Sequence, residues 1–153
     1  MGIIEIPKDS NEKLLTYATL FDAVGYMGFA PFVYFLKIGY VWHDAGPILG
    51  FPIHLNGYLN MILAVYFVAG IYLLRVAKDG VKKHAMVLSL NAWGLQFIHM
   101  VMMGINCLIL PFDGYSLWGI PANILPFGDI PFMAMLFTIN IFLMKKVFGS
   151  YCP

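Results

Sequence analysis

Residues 85–110 read AMVLSLNAWGLQFIHMVMMGINCLIL, twenty-six consecutive positions without an Asp, Glu, Lys or Arg. About 20 apolar residues in a helix are enough to cross the hydrocarbon core of a bilayer. Backbone groups cannot stay unpaired in hydrocarbon, and the stretch lacks the polar/apolar alternation of a barrel strand, so it predicts a transmembrane helix. Three further stretches read the same way: Leu14 to Leu36, Tyr58 to Ala77, and Ile130 to Met144, the last extending to Phe148 to complete its crossing. The expected fold is therefore all-α: one four-helix transmembrane domain with spans at about 14–36, 58–77, 85–110 and 130–148.

Composition agrees. Of 153 residues, 61% are hydrophobic and 11% charged, where soluble domains carry about 25% charged residues. So small a soluble fold has too much surface to hide this apolar content. The net charge of +1 comes with no basic face, so nucleic acid is not an expected partner. Met1 to Lys13 lacks the basic region, short apolar core and small-residue site of a signal peptide. Cys107 and Cys152 form no CxxC pair and read as a packing residue and a free thiol.

The breaks between spans have local causes. Asp9 and Glu12 resemble a capping box ahead of the first helix, and Asp79-Gly80 is a turn signal. Pro111 stops the third helix, while Asp129 with Pro131 reads as the N-cap and start of the fourth.

Orientation follows from the basic residues, which collect on cytoplasmic flanks. Four crossings place Lys8, Lys13, Arg75, Lys78, Lys82, Lys83, Lys145 and Lys146 on one side and Lys37 alone on the other. The expected location is a cell or inner membrane, with both termini cytoplasmic. The outer connections, Ile38 to Gly57 and Pro111 to Asp129, are long for helix linkers. They are rich in Gly, Pro and aromatics, including Tyr40, Trp42, Phe112 and Trp118, and are expected to pack together as an interfacial cap.

Polar groups inside spans are costly and point to function or to interhelical bonding. Asp22 lies about a third of the way into the first span. It reads either as a proton carrier or ligand-orienting group, or as an acid knitting the first helix to Asn91 or Ser89. Gln96, His99, Met103 and Asn106 fall at offsets of three, four and three, one face of a helix. That stripe can hold the polar group of a lipophilic molecule, ligate a metal or haem, or serve as interhelical glue. Asn60, at the outer end of the second span, adds a polar contact at a depth near Asn106. Outside the spans, His43, His54 and Asp129 are of types that bind zinc or copper, but their spacing matches no metal motif. His84 and His99, fifteen residues apart, are turned about 60° from each other on a helix, and no second helix carries a matching pair; neither haem, held by those two or by His99 with His54, nor copper is favoured. No nucleophile elbow, P-loop or thiol-redox pair supplies a catalytic motif.

Trp93, His99 six residues on, Val101-Met102, and Gly128-Asp129-Ile130-Pro131 opening the last span together resemble a family of small uncharacterised four-helix membrane proteins of prokaryotes. The resemblance covers roughly His84 to Met144 and leaves the first outer loop, with His43 and His54, unmatched. It implies the topology and no activity. The leading expectation for function is a non-catalytic helix-bundle subunit of a larger membrane complex, or a homo-oligomer, in contact with membrane lipid. The alternative is an enzyme or binding protein for a lipophilic ligand (a quinone, a lipid or a small hydrocarbon) using Asp22 and His99.

Overall fold

A computed structural model describes the backbone of residues 4, 6–36, 45–48, 51–53, 55–109, 116–117, 120–121 and 125–153, and the side chains of residues 4, 6–35, 60–105 and 130–153. Helices dominate. Helix α1 runs Ser10–Leu36, α2 Leu55–Asp79 and α5 Leu125–Phe148. Between α2 and α5 stands a composite rod: α3 (Ala85–Ser89), a π-helix (Leu90–Phe97) and α4 (Ile98–Ile109). The two long connections each hold a short antiparallel hairpin, β1–β2 (Ala45–Ile48 with Phe51–Ile53) and β3–β4 (Ser116–Leu117 with Ile120–Pro121). The expected packing of the two outer loops against each other falls outside the described residues.

Three helical segments are long and apolar enough to cross a bilayer: Asn60–Asp79, Ala85–Ile105 and Ile130–Phe148. Helix α1 is as long as any, at 27 residues, but Thr16, Thr19 and Asp22 and its charged first turn dilute its apolar content. Its start is set by Asp9, whose Oδ1 accepts the Glu12 backbone N–H at 2.9 Å. This is half of a capping box. The Glu12 carboxylate instead pairs with Lys82 Nζ at 2.8 Å, tying α1 to the 3-10 turn Val81–Lys83 that follows α2. That contact raises the Lys82 pKa above the ordinary lysine value, chiefly because the ammonium donates a hydrogen bond to Glu12. Gly80, at φ +98°, makes the turn out of α2 in a conformation that suits glycine.

Helix α5 begins earlier than the sequence suggests. Asp129 lies inside it and not at its cap, because the helix starts at Leu125 with Pro126 in the first turn, where a missing N–H costs nothing. At its other end Gly149 (φ +75°) closes the helix, its N–H reaching Lys145 O at 2.9 Å. The chain then turns back over the composite rod. Trp93 Nε1 donates to Tyr151 O at 3.0 Å, and Ser89 Oγ donates to Pro153 O at 3.2 Å.

The distribution of polarity is inverted relative to a protein folded in water. Asp22, Gln96 and Asn140 are 2%, 0% and 3% exposed, while Phe21, Val24, Ile98 and Phe142 are each more than half exposed. Water rewards the opposite arrangement. An exterior of this kind fits an apolar solvent, and the buried polar groups must then find partners within the bundle.

Candidate functional site

The buried polar residues converge on one atom. Asp22 Oδ2, from α1, accepts hydrogen bonds from Asn91 Nδ2 at 2.7 Å, Gln96 Nε2 at 2.8 Å and Asn140 Nδ2 at 2.8 Å. Asn140 Nδ2 also donates to Gln96 Oε1 at 3.1 Å, and Gln96 Nε2 reaches Tyr26 Oη at 3.1 Å. Three separate segments, α1, the π-helix and α5, are thus joined by side chains that would each be expensive to bury alone.

The π-helix explains how two of these donors meet. In an α-helix, residues five apart differ by about 140° around the axis, so Asn91 and Gln96 would face different neighbours. The wider turn of a π-helix, with its i→i+5 bonding, brings position i+5 round much closer to the face of position i. Both amides then point at α1. Interruptions of this kind often mark functional positions.

A second polar contact adjoins the first. Tyr66, on α2, shares a 2.8 Å hydrogen bond with His99 Nδ1. The Tyr66 ring meets the Tyr26 ring edge-on, centroids 5.0 Å apart, and the His99 ring at 5.7 Å. The tyrosine pair therefore links the Asp22 cluster to His99 across all four helical rods.

Compared with family models, curated proteins and solved structures, the chain matches none.

Of the residues singled out in the sequence, the structure brings Asp22 and Gln96 into one cluster and sets His99 beside it through the two tyrosines. Gln96 and His99, three apart, reach different partners. Asn60 stands apart: it is exposed, and it lies ten residues, about 15 Å of helix, from Gly70, which packs against Ala23 beside Asp22. The Asn106 and Asp129 side chains, and His43 and His54 altogether, lie outside the described residues. Among the described residues no three His, Cys, Asp or Glu side chains gather as a metal would require. Asn140, Tyr26 and Tyr66 are site residues that sequence reasoning passed over. The legible signal was Asn140, an amide set in the otherwise greasy run from Ile139 to Met144.

Beside the cluster a cleft of about 370 Å³ opens between α1 and α5. Its walls are Tyr17, Ala18 and Phe21 on one side and Met135, Leu136 and Ile139 on the other; Asp22 and Asn140 complete the lining. Tyr17, Phe21, Met135 and Ile139 are all exposed, so the mouth faces the apolar exterior of the bundle. The volume is in the range of small-molecule sites, and apolar walls around a few convergent polar groups are their usual make-up.

Proposed function

We propose that the chain is a four-span membrane protein with both termini in the cytoplasm. It binds a lipophilic molecule that enters sideways from the bilayer, between α1 and α5, and sets its polar end against Asp22 and Asn140. The observation that carries the binding reading is the cleft itself: a largely apolar cleft, open to the exterior, with a buried carboxylate in its lining. For the topology, support comes from the basic residues, eight on the side holding the termini and one on the other, and from the length of α1. Interhelical hydrogen bonds with the cluster's donors offset the polarity that dilutes its hydropathy.

Cys152 is exposed and supplies a natural topology probe. In a Cys107→Ala background, a membrane-impermeant maleimide is expected to leave Cys152 unlabelled in intact cells and to label it fully once the membrane is opened. Labelling in intact cells overturns the orientation.

Ligand binding is tested by organic extraction and mass spectrometry of protein purified in mild detergent. The wild-type protein is expected to carry a lipophilic species in near-stoichiometric amount. Ala18→Phe, which places a ring inside the cleft, is expected to lose most of it while keeping its helicity. If wild-type and Ala18→Phe extracts are the same, the cleft is not a binding site.

The second reading is a helix-bundle subunit of a larger membrane assembly. Large exposed apolar residues on every rod favour it, among them Phe35 at 77% and Tyr72 at 62% exposed, which offer surface to other helices as readily as to lipid. Affinity purification after gentle solubilisation separates the two, since a subunit brings a stoichiometric partner and a ligand-binding monomer does not.

A further inference from the structure

The charge balance around Asp22 specifies the ligand further, on the reading that the cleft binds a lipophilic molecule. Among the described residues no Lys, Arg or His pairs with Asp22; the ion pairs present lie at the cytoplasmic rim, at Arg75–Asp79, Lys82–Glu12 and His84–Asp79. All three groups bonded to Asp22 Oδ2 are neutral amide N–H donors. Such donors solvate a carboxylate without cancelling its charge, and an uncancelled buried charge is expensive.

We propose that the cleft between α1 and α5 is a seat for a lipophilic primary amine, whose ammonium group pairs with Asp22 while its hydrocarbon body lies between Ala18, Phe21, Leu136 and Ile139. An ammonium supplies the positive charge that Asp22 lacks, on a group that carries only N–H donors to set against the carboxylate. Phe21, exposed and lining the cleft, is of a side-chain type whose ring attracts cations. A fatty acid would bring a second negative charge to Asp22, and a zwitterionic lipid headgroup would bring a phosphate with its amine. A small inorganic cation has no use for apolar walls.

The test uses the full chain in dodecyl maltoside and three photoreactive probes of equal alkyl length, ending in an amine, an alcohol or a carboxylate. Crosslinks are mapped by peptide mass spectrometry. The amine is expected to label residues 17–22 and 135–140 roughly tenfold more than the carboxylate and several-fold more than the alcohol, the difference a charge-assisted hydrogen bond makes. Asp22→Asn is expected to collapse the preference for amine over alcohol. Equal labelling by all three probes, or an amine preference that survives Asp22→Asn, overturns the amine assignment and leaves a general lipid cleft. Labelling that maps nowhere in the cleft overturns the cleft reading as well. The comparison among probes on the wild-type protein decides the matter even if Asp22→Asn folds poorly.

Discussion

Replacing Gln96 with leucine is expected to cost the folded bundle about 2–4 kcal/mol, a large fraction of the stability of a small domain. Gln96 is fully buried and takes part in three hydrogen bonds, to Asp22, Tyr26 and Asn140. Leucine is of similar bulk, so the cost comes from the partners left behind. Asp22 keeps two donors of three, and Asn140 Nδ2 loses its second acceptor. Single interhelical bonds in bilayers average about 0.6 kcal/mol and reach about 1.7, so the three bonds lost with Gln96 bracket the figure given. The measurement is reversible unfolding in detergent, by heat or by titration with sodium dodecyl sulfate. A double cycle with Asn140→Leu sharpens it: the two losses share a network, so the pair is expected to cost about 1 kcal/mol less than the sum of the singles. A Gln96→Leu protein within about 0.5 kcal/mol of wild type, the range of inert surface changes, would mean that the cluster does not hold the bundle together.

That cluster shows where sequence reading stops. The helical rods were legible because lipid-length apolar runs are a one-dimensional signal, and so were the turn at Gly80 and the cap at Asp9. Asp22 was legible as an oddity, with Asn91 named as one of its two expected partners. Ser89, the other, instead bonds the returning chain at Pro153. The π-helix was not legible. Reading Leu90–Phe97 at α-helical spacing puts Gln96 in a stripe with His99 and turns Asn91 away from it, whereas the wider turn lets Asn91 and Gln96 reach the same oxygen. Nothing in LNAWGLQF announces that change of pitch, because it is selected by what the neighbouring helices offer. The cleft was illegible for a related reason. Tyr17 and Phe21 belong to α1 and Met135 and Ile139 to α5, and pairing those faces requires the packing order, which no single helix encodes.

Enlarging Gly70 is expected to damage the same site from a distance, because α1 and α2 approach each other more closely there than any side chain allows. A Cβ on Gly70 would sit 2.8 Å from the Ala23 carbonyl oxygen, 3.1 Å from Met27 N and 2.7 Å from Met27 Cγ. The methionine side chain can swing away, but the two backbone atoms cannot, so α1 itself must move. Small residues at helix contacts in membranes serve this kind of close approach. Ala23 directly follows Asp22, whose three hydrogen bonds of 2.7–2.8 Å to the π-helix and α5 have no slack. Overpacking costs typically about 1–3 kcal/mol, so Gly70→Ala is expected in that range and Gly70→Leu above it. Gly25 and Gly28 supply the control, since a Cβ at either meets nothing within 4 Å. Gly25→Ala should be neutral or stabilising by up to about 1 kcal/mol, as alanine is the better helix former. The decisive comparison is the order of the variants in the same unfolding assay. If Gly70→Ala and Gly25→Ala behave alike, α1 does not rest on α2 through Gly70, and the position of Asp22 must be held by its hydrogen bonds alone.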